Sequence, residues 1–287
     1  MKKSLPKVTK VTGTKAAKAA KSKTPIIEVS LAEVPSEPAS EIGDYALWFY
    51  GSPKIGKTTL ASMFPHAHFF MFEPGGRALR IHQKSIAKWQ EFGAYIDLLN
   101  KGGHPFRTAV VDVVEKAHAM CFKYMCKKLV ISHPADVEDY GKSWGKIMEE
   151  FLDKMGGIAS IPNMGTIFIS HAAMTKRKTR TGEEIQDIHP SLTGKPLEAL
   201  EGAMDLIGYI HFRRGQRVMQ IQGSDTIMAG CRLEENFRHT DGSQIVYIPL
   251  GNSKSEAFDN FMAAYNNELP PPPKETGPKK LAVKKKK

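Results

Sequence analysis

Short apolar runs alternate with stretches of helical spacing along most of the chain. Residues 45–50 form an aromatic-rich apolar run that stops at Gly51, and residues 57–64 then take on helical character before Pro65. Residues 68–72 are apolar again and end in Glu73-Pro74-Gly75-Gly76, a turn signal. A β-branched run at 108–111 closes on Asp112, and two long helical stretches follow, at about 114–130 and 143–155. Residues 166–170 and 206–212 read as two further buried strands. Apolar strands separated by helices predict an α/β fold, with a mostly parallel sheet covered by helices on both faces. Past Arg213-Arg214-Gly215, residues 217–222 alternate polar and apolar, which predicts a hairpin at the sheet edge.

Charge divides the chain further. Of the net +11, residues 1–24 hold eight lysines and no acid, and residues 274–287 hold seven lysines and Glu275. The two ends therefore carry +8 and +6, and residues 25–273 carry −3. The ends are poor in large apolar groups, a composition that predicts disorder. Residues 34–40 read as a linker and Pro270 to Pro273 as a stiff spacer. The expected layout is a basic tail and linker at 1–40, one folded domain at 41–268, and a spacer with a basic tail at 269–287. Polylysine attracts any polyanion without reading sequence, and it also serves as a plain solubility tail. Three cysteines suit a reducing compartment, no apolar run reaches a membrane span, and the basic N-terminus lacks a secretory apolar core. A cytoplasmic location without membrane contact is expected.

The strongest chemical signal is Gly51-Ser52-Pro53-Lys54-Ile55-Gly56-Lys57-Thr58, which fits G-x-x-x-x-G-K-[ST] at every fixed position. It follows a predicted strand and opens a predicted helix, as the motif requires. Glycines let backbone N–H groups curl around phosphate oxygens, and the helix offers its positive end. Lys57 is placed to reach the β- and γ-phosphates, Thr58 to ligate Mg²⁺, and Thr59 completes the cofactor-contacting stretch. The cofactors implied are ATP and Mg²⁺.

Such a site also needs carboxylates. Asp112 closes a strand and is the candidate for the Mg²⁺ shell, although strand-end aspartates also cap helices. The position after it, where many such sites carry the water-activating acid, is Val113. Glu115 is expected to point along the next helix. Glu73 ends the strand after the phosphate-loop helix and is the preferred water-activating group, against the reading of an ordinary Glu-Pro-Gly turn.

These residues resemble the RecA-like P-loop ATPases, and especially the small phage-encoded ATP-binding proteins of single-strand annealing and recombination, over about residues 44–265. The resemblance implies that Glu73 is catalytic, that His171 takes the γ-phosphate-sensing position, and that Lys57 acts with them. Pro190-Ser191-Leu192-Thr193-Gly194-Lys195 followed by Asp205, and Tyr140-Gly141-Lys142-Ser143-Trp144, look like patterns of the same phage group. It further implies DNA-stimulated ATP hydrolysis and a homo-oligomer, with ring or weaker assembly open. Single-stranded DNA is the implied partner, a single-strand-binding protein a further candidate, and the host cytoplasm the setting. By the same resemblance, the basic residues Lys176, Arg177, Lys178 and Arg180 lie on a flexible DNA-contacting loop at 172–188; a solvated hairpin tip is the alternative. Lys195 and Arg232 are candidate cations for a neighbouring subunit's γ-phosphate or ordinary surface charges.

Two rival functions stay open: a P-loop kinase for a small molecule, and a DNA-binding protein that uses the nucleotide only as a switch. His118, Cys121 and Cys126 do not make a metal site, since Cys121 and Cys126 diverge by about 140° on a helix. They are expected to be buried as small hydrophobes.

Overall fold

In a computed structural model of the chain, residues 34–35, 37–178, 180 and 182–273 are described. Both lysine-rich ends therefore lie outside the described residues. Of the first compact unit, Met1–Pro38, the described residues carry neither helix nor strand. The second unit, from Ala39 onward, holds the fold.

Strand β1 (Ala46–Gly51) is buried at five of its six positions, so it lies in the middle of a sheet covered on both faces. It pairs in parallel with β5 (Gly165–Lys178) on one side and β7 (Leu206–Arg213) on the other. Beyond β5 come β4 (Thr108–Asp112), β2 (Ala67–Met71) and β3 (His82–Ser85), all parallel. Beyond β7 come β8 (Gln216–Gln220) and β10 (Tyr247–Pro249), both antiparallel to their inner neighbours. The order across the sheet is β10-β8-β7-β1-β5-β4-β2-β3, with the two-residue β9 (Gly230–Cys231) against β7. The expected mostly parallel sheet with an antiparallel hairpin is present. The hairpin strand β8 is not the edge, however, because β10 pairs outside it.

Helices cover both faces. On one face lie α2 (Trp89–Asn100), α3 (Val114–Leu129), α4 (Lys142–Ala159) and α5 (Lys195–Glu201). Their buried positions fall at helical spacing: Trp89, Phe92, Ile96 and Leu99 on α2, then Val114, Ala117, Cys121 and Met125 on α3. Ile147, Phe151, Met155 and Ile158 do the same on α4. Cys121 and Cys126 are buried in this core, where burial pushes both thiols up. The other face is covered by α1 (Lys57–Ala61) and α6 (Lys254–Tyr265), whose Leu60, Ala61, Phe261 and Ala264 pack with Phe49, Phe64 and Phe69. Helix α6 starts at Ser253, whose hydroxyl accepts from Glu256 N at 3.1 Å.

The segment expected to be a flexible basic loop is a ribbon. Strand β5 runs past the main sheet to Lys178 and pairs antiparallel with β6 (Glu184–Pro190), from Ala172↔Pro190 to Lys178↔Glu184. Exposure along β6 alternates from Glu184 to Asp187 and then decreases to the buried Pro190, so the strand is covered where it joins the main sheet and exposed at its outer end.

Two consequences are measurable. A Cβ at Gly51 would lie 2.3 Å from the Ile210 carbonyl oxygen on β7, a backbone atom that cannot step aside. Gly51→Ala is expected to cost about 1–3 kcal/mol, read as a lower denaturant midpoint. The second concerns His68 on β2, packed against Phe70 and Phe106 with Nδ1 buried and without a partner. Burial, then the nearby His82, Lys84 and His104, lower its pKa to about 4. The unfolded chain therefore takes up that proton first, so stability is full above about pH 6.5 and falls as pH drops toward 4. Allowing for solvent screening at a half-exposed ring, the loss is about 1–2 kcal/mol. Across this range wild type should lose about that much stability relative to His68→Leu, read from the two unfolding midpoints.

Candidate functional site

The register sets the C-terminal ends of four strands side by side. Met71 faces Asp112, Asp112 faces Ile169, and Gly51 faces His171. In the order β1-β5-β4-β2, the phosphate loop, His171, Asp112 and the turn bearing Glu73 thus occupy one edge of the sheet.

The loop leaves β1 at Gly51 and enters α1 at Lys57. Ser52, Pro53 and Lys54 are exposed, while Ile55 is buried. Gly56 has φ of 105°, a left-handed conformation in which a side chain is strained, and a Cβ there would lie 2.7 Å from Arg217 Nη1. Lys57 is 6% exposed, and its ammonium folds back over the loop, donating to the carbonyl oxygens of Gly51 and Ser52 at 2.9 Å each. Burial lowers its pKa, and Asp112, Glu115 and Glu73 oppose that effect. Thr58 Oγ1 donates to Asp112 Oδ2 at 2.7 Å. Thr59 sits on the next position of the helix, where its carbonyl accepts from Ser62 Oγ.

Asp112 is 4% exposed. Burial raises its pKa, the Thr58 hydrogen bond works against that, and the neighbouring Glu73 adds to it. Among the described residues no three His, Cys, Asp or Glu side chains converge as a ready-made metal cage. One hydroxyl and one buried carboxylate in contact are what Mg²⁺ uses, since it keeps waters and fills its shell with substrate phosphates. The residues present fit that ion.

Glu73 and His171 meet at this edge: His171 Nε2 lies 3.6 Å from Glu73 Oε1. Glu115 departs from its expected direction. It occupies the first turn of α3 and turns back toward the sheet, where its Oε1 accepts from the His171 backbone N–H at 2.9 Å and contacts ring Nδ1 at 2.7 Å. A side chain in the first turn of a helix that follows a strand still lies over the strand ends, and spacing along the helix does not reveal that. Arg217 on β8 is a second residue that spacing and motif do not single out. Its guanidinium donates to the carbonyls of Ile55, Leu250 and Ser253 at 3.2–3.4 Å, bracing the phosphate loop from behind.

The remaining candidates spread out. Lys176 and Arg177 lie on the β5–β6 ribbon, Lys176 3.6 Å from Glu184 and Arg177 bonded to Asp187 and to the Asp225 carbonyl. Lys178 and Arg180 are exposed at its outer end. Four cations and three acids (Glu183, Glu184, Asp187) share residues 172–190, so the ribbon itself is close to neutral. Lys195 is exposed at the start of α5. Arg232 donates to the Gly202 carbonyl at 2.7 Å, and the adjoining Cys231 pairs with Leu206 at the opposite end of the strands from the phosphate loop. No described helix is long and apolar enough to cross a membrane.

None of the curated proteins matches the sequence. Among solved structures, that of the RadB recombinase is similar at 15% identity and a TM-score of 0.36, over 64% of this chain and 83% of that one. The family described as an AAA domain matches residues 44–233, which holds the phosphate loop, Glu73, Asp112, Glu115, His171 and the ribbon. By that match over most of its length, the chain belongs to the AAA domain family of nucleotide-binding P-loop proteins.

Proposed function

We propose that the protein hydrolyses ATP to ADP and inorganic phosphate, and that it does so as a RecA-like motor or switch on single-stranded DNA. The observation that carries the reading is the contact between Thr58 and Asp112 beneath a buried Lys57, with Glu73 on the adjoining strand end. When ATP enters, Lys57 exchanges its two loop carbonyls for phosphate oxygens, and the loop amides complete the cradle. Thr58 and Asp112 would hold Mg²⁺, which would supply positive charge against that developing on the phosphates. Glu73 accepts the proton of a water that attacks the γ-phosphorus in line, and the bond to the bridging oxygen breaks.

The DNA part of the reading draws on two features. One is the ribbon, which extends the same strand that carries His171 and ends in exposed Lys178 and Arg180. The other is the lysine content of the two chain ends, which supplies the counterion-releasing attraction that the near-neutral ribbon lacks. Recombination, annealing or replication in a phage-infected host cell is the setting proposed, with the chain acting as a homo-oligomer. In such an assembly, the exposed Lys195 suits a neighbour's γ-phosphate better than Arg232, which is already bonded within its own chain.

The test is steady-state phosphate release with and without single-stranded DNA, on wild type and Glu73→Gln. Wild type should release phosphate and run faster with DNA. Glu73→Gln should lower kcat by about a hundredfold or more while the affinity for ATP stays within a few fold. Equal rates for the two proteins would remove Glu73 from the chemistry. Transfer of phosphate to a nucleoside instead of water would replace the hydrolase reading with a kinase.

A further inference from the structure

His171 stands where β5 passes from the main sheet into the ribbon. Gly51↔His171 is its final pair with β1, and Ala172↔Pro190 opens the ribbon. Four contacts converge on it. Its carbonyl accepts from Ser191 N at 2.8 Å, just past the end of β6. Its backbone N–H donates to Glu115 Oε1 at 2.9 Å, and ring Nδ1 lies 2.7 Å from the same oxygen. Its Nε2 faces Glu73 Oε1 at 3.6 Å.

An ionised carboxylate can only accept, so the contact with Glu115 requires the hydrogen on Nδ1. Nε2 is then the nitrogen presented to Glu73, and it attracts that carboxylate when the ring carries hydrogen on both nitrogens. Because one oxygen receives both the backbone N–H and the ring, the imidazole is fixed relative to its own strand and to α3. The Glu115 side chain is 13% exposed, and its other oxygen, Oε2, is buried without a partner. A carboxylate held this way has lost much of its water, and the two hydrogen bonds to His171 are what compensate it.

We infer that Glu115 is a positioning residue, which sets the ring orientation and tautomer of His171 and so ties the Glu73 carboxylate to the β5–β6 ribbon. Its effect on turnover rests on the proposed hydrolysis; its effect on the ring does not. Glu115 makes no hydrogen bond to the phosphate loop or Thr58, but its charge also supports that of Lys57, so the effect of the clamp is read from the difference between a variant that keeps an acceptor oxygen and one that does not. Loss of the clamp frees the imidazole to turn, and Glu73 then loses the neighbour that orients it.

The test uses the full-length chain labelled with ¹⁵N-histidine. Ring nitrogen shifts report the tautomer, and His171→Gln assigns the signal. Wild type should show a protonated Nδ1. Glu115→Leu should lose that signature, whereas Glu115→Gln, which keeps an acceptor oxygen, should largely retain it. In the two variants, both of which lack the Glu115 charge near Lys57, Glu115→Leu should lower kcat by about tenfold or more and Glu115→Gln should fall much less, with similar KM for the two. A wild-type ring with a bare Nδ1, or Glu115→Leu turning over at the wild-type rate, would overturn the inference. If Glu115→Leu does not fold, the wild-type and Glu115→Gln spectra decide it. If wild type releases no phosphate at all, the proposed hydrolysis fails, and the ring signature alone decides the role of Glu115.

Discussion

A lysine ammonium taken out of water has to be compensated, and much of this molecule's active edge follows from how that is done. Lys57 keeps its charge through two loop carbonyls and three nearby carboxylates, Asp112, Glu115 and Glu73. Three acids around one buried cation leave negative charge in excess. Asp112 shows the strain of that balance, with burial and Glu73 both favouring its neutral form. A divalent cation would offset that excess, and without one the site would repel the phosphates, which gives it a physical reason to take ATP together with Mg²⁺. The sheet makes this possible, because only parallel strands ending at one edge can bring residues 51, 73, 112 and 171 together from four separate segments.

The same edge connects the phosphate site to a surface. Strand β5 carries His171 and continues without a break into the ribbon. Trp48 Nε1 donates to Ser170 Oγ at 2.9 Å inside the core, which anchors the strand one residue before it emerges. The chain therefore has a stiff path from the carboxylates to the ribbon tip. At the other flank, Arg217 links the phosphate loop to the start of α6 through the Ile55, Leu250 and Ser253 carbonyls.

How far the sequence disclosed this depends on the kind of signal each element carries. Strands β1, β2, β4, β5 and β7 are apolar runs buried on both faces, and each was legible in its core. Strand β3 was not, because His82, Gln83, Lys84 and Ser85 are all exposed and only backbone pairing with β2 defines it. The outer half of β5 failed for the same reason: polar residues around a glycine read as a loop until a partner strand is known. Helix α6 was not read from the sequence, because its weak apolar face is visible only against Phe49 and Phe64. In the site, the phosphate loop, Asp112 and Glu73 follow from motif and strand ends. Glu115 and Arg217 act through side-chain reach across the fold, which one-dimensional spacing does not encode.

On the proposed reading, one MgATP binds between the loop of residues 51–58 and the Asp112 carboxylate. Isothermal titration of ATP into the full-length chain, with Mg²⁺ and with EDTA, is the decisive measurement. One site per chain is expected, weakened when Mg²⁺ is removed and lost in Lys57→Met. Absence of binding at millimolar ATP, or equal affinity in wild type and Lys57→Met, would contradict it.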